Sequence, residues 1–304
     1  MNTKPAQLSD NGFLYALGCY FLWGGLPLYF KILEKVPALE MLSHRILWSV
    51  PTGILLVFFA GKFDVIYAAF KNKKNLFWLT LSGILMGANW LIYIWAVQNG
   101  RVLEGSLGYF INPLFSFGLA AIFFGERFTK FQIIAILLAA AGVLNQALVV
   151  GQFPWVAISL CVTFGVYGAI RKKVQVDSRA GFLFEVIILL PIALAFLTYG
   201  WLNGRPFLAT DPTDSILITL AGVVTAAPLI MFGLAAKRLR LSSLAMMQYI
   251  GPTIQFCVGI YLGEAFTPEH AITFGFIWLG VILFSFGALQ NERRAKKLLA
   301  TKPT

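Results

Sequence analysis

The chain places three ionisable side chains inside long apolar stretches: His44 and Arg45 in "MLSHRILW", and Glu185 in "FLFEVIILLP". A charge in such surroundings is costly unless it faces a partner or a watered cavity, so each is a candidate for charge recognition or coupling. Arg45 would favour anionic groups, and Glu185 would carry a charge or a proton. Arg45 also has a plainer reading, because its long side chain can snorkel to the membrane surface. A carboxylate has too short a reach for that. A second set is uncharged. Tyr109, Asn112 and Ser116 are spaced by three and four and share one helical face. Beside them Pro113 removes a backbone hydrogen bond and marks a helix break. At an offset of 139 the same positions are Gln248, Gly251 and Gln255, beside Pro252. Asn89 and Tyr93 lie one turn apart in "GANWLIYIW". Asn89, Tyr93, Tyr109, Asn112, Ser116, Gln248 and Gln255 are therefore the expected lining of a solute path. The alternative for any one of them is an interhelical hydrogen bond, worth about 0.6 kcal/mol.

The elements that would hold these residues are membrane spans. Of 304 residues, 59% are hydrophobic and 12% charged, too few charges to clothe a soluble core of this size. Apolar runs long enough to cross a hydrocarbon core of about 30 Å as helices recur ten times. They fall near 12–30, 41–60, 76–97, 106–124, 131–150, 153–170, 181–200, 215–236, 241–262 and 271–290. The runs are continuous rather than alternating, which argues against a strand barrel. The first follows Asp10 and Asn11, contains Trp23, Pro27 and Tyr29, and is too long for the apolar part of a cleaved leader. Cys19, Cys161 and Cys257 lie inside runs without C-x-x-C spacing and read as small core residues. Trp78 reads as an interfacial anchor, and Gly83, Gly87, Gly118, Gly259 and Gly280 as close-packing positions between helices.

The net charge of +11 does not point to nucleic acid. With a cytoplasmic N-terminus, 19 basic residues fall on the cytoplasmic side and four, Lys31, Lys35, Arg101 and Arg205, on the other. That is the asymmetry of the positive-inside rule, and it makes both termini cytoplasmic.

The two halves echo one another. "YFINPLFSFGLAAIFFGERFTK" is matched by "QYIGPTIQFCVGIYLGEAFTPE", Pro113 by Pro252, Arg101 by Arg240, and Gly142-Val143 by Gly280-Val281. Five spans per half is odd, so the second copy enters the membrane from the opposite side. The expectation is an all-α integral membrane protein of ten transmembrane helices in two inverted five-helix repeats. Residues 1–150 form one repeat, and 151–304 form the other with a basic C-terminal tail. Such repeats mark many secondary transporters, with the binding site near the midplane between the copies. At an offset of 140 Arg45 corresponds to Glu185. Inversion puts these opposite charges about 15 Å apart in depth, so they need not touch.

Absences narrow the chemistry. There is no G-x-x-x-x-G-K-[ST] loop for an internal nucleotide engine, and no H-E-x-x-H or G-x-S-x-G for an intramembrane hydrolase. His44 and His270 stand far apart, so neither a metal site nor a cofactor is expected. The chain does not read as an enzyme. Its partners are a small-molecule solute and the lipid bilayer, with proton coupling open through Glu185 and no signal for an oligomeric state. The competing readings are a non-transporting membrane scaffold or assembly factor, and a passive facilitator.

Long stretches also resemble a known family: "YFLWGGLPLYFK", "SHRILWS", "NWLIYIWAVQNGRVLEGSLGYFINPL", "FFGERF", "RLRLSSL" and "QYIGPT". Over roughly residues 11–290 the sequence is similar to the RarD branch of the EamA-type drug/metabolite transporter superfamily. The resemblance implies ten helices in two inverted repeats and an inner-membrane permease. Relatives in the superfamily move amino acids, other metabolites or drugs, often outward and without ATP. It implies no catalytic residues, so the site assignments rest on the residues themselves.

Overall fold

A chain whose side chains are mostly apolar can shed water only if its backbone polar groups bond among themselves, and helices do this within a single segment. The computed structural model describes residues 10–61, 64, 71–124, 130–148, 151, 153–174, 176–208, 211–236, 238–239 and 247–300. Among these, ten helices follow one another: α1 Asp10–Ile32, α2 Ala38–Ala60, α3 Lys73–Gln98, α4 Val102–Phe124, α5 Lys130–Leu148, α6 Trp155–Lys173, α7 Ser178–Leu202, α8 Pro212–Ala236, α9 Ile250–Tyr261 and α10 Pro268–Ala300. Seven of them (α1, α2, α3, α5, α7, α8 and α10) are long and apolar enough to cross a membrane. Trp155–Arg171 within α6 and the whole of α9 are shorter apolar helices.

The helix ends follow local chemistry. Asn72 precedes α3 and its side chain accepts from the amides of Lys74 and Asn75 at 3.0 and 3.1 Å. Asp177 does the same for α7, accepting from Arg179 N at 3.0 Å. These are the short polar side chains that satisfy orphan amides at an N-terminus. After α3 the chain reverses through Gly100, whose φ of 63° is left-handed and favours a residue without Cβ.

Two expectations need correction. The run at 241–262 is not one span among the described residues: a turn at Gln248–Tyr249 separates Met247 from α9. The break therefore precedes Pro252, which sits in the first turn of α9, where a missing N–H costs nothing. Pro113, expected at a break, lies within the continuous helix α4.

Packing interleaves the two halves. The most extensive contacts are α5 with α10, α4 with α6, α2 with α7, α2 with α8, α1 with α8, α3 with α6 and α1 with α9. Each joins a helix before Gly151 to one after it. Contacts within a half, such as α1 with α3 or α4 with α5, are slight. Exchanging the halves maps α4–α6 onto α9–α1 and α3–α6 onto α8–α1.

Glycines permit these approaches. A Cβ at Gly142 would meet Ile277 and the Thr273 carbonyl, and one at Gly280 would meet the Ala135 carbonyl, so these two glycines, matched in the sequence, pack α5 on α10. Gly118 is the exception among the expected packing glycines: a Cβ there meets nothing within 4 Å. The outer surface carries exposed Phe59, Leu148, Ile192 and Tyr261, as a face covered by lipid tails would.

Candidate functional site

Arg45 lies two turns into α2 and is only 5% exposed, so it does not snorkel. Its Nε donates to Thr225 Oγ1 of α8 at 2.8 Å. Thr225 passes its own proton to the Ala221 carbonyl at 2.8 Å, which leaves a lone pair for the arginine. The guanidinium lies 4.2 Å from the centre of the Trp90 ring and 5.6 Å from that of Phe30. Its ionisable neighbours are the hydroxyls of Tyr109, Tyr29 and Tyr93. Among the described residues no carboxylate forms an ion pair with it.

A desolvated charge of this kind costs several kcal/mol when unpaired. Ring faces return about 2 kcal/mol each at best. Beside it His44 is fully buried, edge-on to Phe207 at 5.7 Å. Neither of its ring nitrogens makes a hydrogen bond of good geometry, and the Phe207 backbone is its polar neighbour.

The uncharged stripe binds helices together. Tyr109 donates to Asn89 Oδ1 at 3.1 Å. Asn89 Nδ2 reaches Thr163 Oγ1 at 2.9 Å and the Leu160 carbonyl at 3.1 Å, both on α6. Asn112 Nδ2 donates to the Cys161 carbonyl at 3.1 Å, and Ser116 to Asn112 Oδ1 at 3.4 Å. Gln255 repeats this from the other half, its Nε2 donating to the Trp23 carbonyl of α1 at 3.1 Å while Oε1 stays unpartnered. Gln248 lies half-buried in the turn before α9. In this conformation the stripe amides of Asn89 and Asn112 face α6, and Gln255 faces α1. Tyr93 alone of these tyrosines and amides has a buried hydroxyl without a partner, next to Tyr109 at 5.6 Å between ring centres.

Glu185 occupies a separate cluster, two turns into α7 and 3% exposed. It accepts from Ser82 Oγ of α3 at 2.6 Å and from the Tyr167 hydroxyl of α6 at 3.4 Å. Arg171 Nη1 stands 3.5 Å away, an ion pair that does not meet hydrogen-bond geometry. Gly181 makes room for that guanidinium, which a Cβ would strike. Arg45 and Glu185 thus have separate partners.

Local spacing gives no hint of a third group, two carboxylates that cap helices from afar. Glu104 pairs with Arg101 at 2.6 Å and accepts from the amides of Val156 at 2.8 Å and Ala157 at 3.4 Å, at the start of α6. Glu264, after α9, accepts from Val102 and Leu103 at the start of α4. Between them lies a cavity of about 220 Å³ that also touches Leu107, Gln146, His270 and Phe274. The one sequence signal was the "GE" echo of Gly125-Glu126 in Gly263-Glu264.

Burial holds the Glu264 carboxyl above its usual 4.5, against the pull of the Leu103 and Val102 amides and of Lys31; Glu104 pushes the same way as burial. A carboxyl raised in the fold stabilises it below the unfolded value, and that contribution is lost as pH rises through the raised one. Relative to Glu264→Gln, the melting temperature of the unaltered chain should therefore fall as pH goes from 4.5 towards neutrality. A difference that is flat, or of opposite slope, would refute a buried cap.

Comparison with known proteins shows what the whole chain is similar to. A family model described as the EamA-like transporter family matches residues 10–145. The chain is 40% identical over 294 residues to Protein RarD of Escherichia coli (strain K12), covering 96% of this chain and 99% of that protein. It is 39% identical over 292 residues to the uncharacterized transporter YojE of Bacillus subtilis (strain 168), covering 95% and 98%. With a chloramphenicol-sensitive protein RarD of Pseudomonas aeruginosa it shares 33% over 293 residues, covering 95% and 98%. One crystal structure superposes with a TM-score of 0.60 at 18% identity, covering 92% of this chain and 98% of that one, a likeness of fold alone.

Proposed function

Since the chain belongs to the EamA-like transporter family, in its RarD branch, and is a multi-pass membrane protein of the drug/metabolite transporter type, we propose that it carries small organic solutes by secondary transport. Metabolites, amino acids or drugs would be exported across the inner membrane by alternating access between two inverted halves, both termini facing the cytoplasm. One observation carries this reading: two buried charges, Arg45 and Glu185, sit two turns in from helix starts among helices from both halves. The heavy contacts between halves, related by exchange, support the inverted repeat. A path between α3, α4, α8 and α9 would bring Arg45, Tyr93 and Tyr109 into reach of solute as the halves rock.

Proton coupling fits the cluster around Glu185. Ser82 has one proton and two acceptors, Glu185 at 2.6 Å and the Leu79 carbonyl at 2.9 Å. An ionised Glu185 takes that proton's bond; a protonated one donates to Ser82, which then turns to Leu79. The carboxyl can change charge without moving a helix. Reconstitution in liposomes tests the whole reading. Arg45→Ala should abolish solute movement. Glu185→Gln should leave downhill movement and remove the response to an imposed pH gradient. Transport unchanged in both variants overturns it.

A further inference from the structure

The chemistry around Arg45 also selects a solute. Resting on the transport reading above, we propose that, once the halves rock apart, Arg45 serves as a carboxylate site for aromatic acids, a monoanion seated on the guanidinium with its ring among Trp90, Phe30 and Tyr93. Three observations converge. The charge to be balanced is a single one: Nε is spent on Thr225, and among the described residues no second cation is an electrostatic neighbour of Arg45. One guanidinium presents a planar fork that fits a carboxylate, whereas a phosphate dianion calls for more positive charge.

Ring faces and edges surround the guanidinium, with Trp90 4.2 Å from it and Phe30 edge-on to Tyr93 at 6.1 Å. Rings there meet rings in the geometries aromatic pairs prefer. Lastly, among the described residues no carboxylate pairs with Arg45 or stands free beside it to balance an ammonium group. An ammonium would have only ring faces that the guanidinium already uses. The acid within electrostatic range of Tyr93 is Glu264, and both of its oxygens are engaged by the backbone amides of Val102 and Leu103. A zwitterion would therefore bury its ammonium unpaired, at a cost the plain acid avoids. The Tyr93 hydroxyl, buried without a partner, remains to donate to the second carboxylate oxygen.

Four ligands sharing one ring test this on the full-length chain in lipid nanodiscs: indole-3-acetate, indole-3-acetamide, tryptophan and tryptamine, each titrated by calorimetry. The acetate should bind at least ten times tighter than the amide, with tryptophan weaker than the acetate and tryptamine weakest. Arg45→Gln should erase the preference of acid over amide. Equal affinities across the series, or tighter binding of tryptamine, overturn the proposal on the unaltered chain alone, whether or not the variant folds. Arg45→Gln that folds and keeps the preference overturns it as well. The transport reading fails separately: an acid that binds in nanodiscs while no solute crosses liposomes removes transport and leaves the site. Solutes that cross without regard to a carboxylate remove the site and leave transport.

Discussion

Replacing Arg171 by alanine is expected to destabilise the folded chain by about 3–5 kcal/mol, the range for removing one partner of a buried ion pair. Glu185→Gln in the same chain should restore most of the loss. The asymmetry follows from what each variant leaves behind. Arg171→Ala strands a carboxylate that is 3% exposed, with only the hydroxyls of Ser82 and Tyr167 to face it. The double variant leaves an amide, which those hydroxyls can satisfy. In the intact chain Arg171 stands 3.5 Å from the carboxylate, and in this buried setting its attraction offsets the cost of desolvating Glu185, a cost left uncompensated once the guanidinium is gone. Thermal unfolding in detergent of the two single variants and the double one measures the cycle. A double variant no more stable than Arg171→Ala would show that Glu185 is not the group Arg171 compensates.

The second large effect is steric. Gly222→Ala on α8 should destabilise by roughly 3 kcal/mol, the upper end for overpacking, and Gly222→Val should prevent recovery of folded protein. An added Cβ would land on the Trp48 carbonyl and lie 2.9 Å from Thr52 Oγ1. A backbone carbonyl cannot swing aside as a side chain does, so α2 and α8 must separate. Trp48 is one turn beyond Arg45, and Gly222 is one turn before Thr225. The 2.8 Å bond from Arg45 to Thr225 is therefore lost in the same movement. Gly118→Ala, where a Cβ meets nothing within 4 Å, is the control and should melt with the unaltered chain. Equal melting of Gly222→Ala and Gly118→Ala would discount the close crossing.

Much of the architecture was legible because a bilayer demands it: apolar runs of sufficient length became helices, and "SHR" and "FEV" stood out as charges where charge is costly. Spacing by three and four placed Tyr109, Asn112 and Ser116 on one face and linked Asn89 to Tyr93. Periodicity says which residues share a face but not what that face meets. Hence Asn112 bonding the Cys161 carbonyl and Gln255 the Trp23 carbonyl were not legible. Thr225, Ser82, Arg171, Glu104 and Glu264 escaped notice because each acts on a partner far along the chain. A threonine or serine in a span looks ordinary until its neighbour is known. The turn at Gln248–Tyr249 was hidden for another reason: Pro252 drew attention to a break that the chain makes four residues earlier, where no glycine or proline marks it.

The interleaving of the halves has a consequence for how the molecule is made. A ribosome delivers α1 to α5 first, and in that interval their main packing partners do not yet exist. Arg45 waits without Thr225, Asn112 without the Cys161 carbonyl, the start of α4 without Glu264, and Glu104 without the amides at the start of α6. The early helices must persist in the bilayer as inserted but loosely assembled segments, held chiefly by hydrophobicity, until synthesis of the remainder is nearly complete. Chains cut short after α5 are then natural substrates for membrane quality control, because their buried polar groups remain on display to the insertion machinery and the proteases.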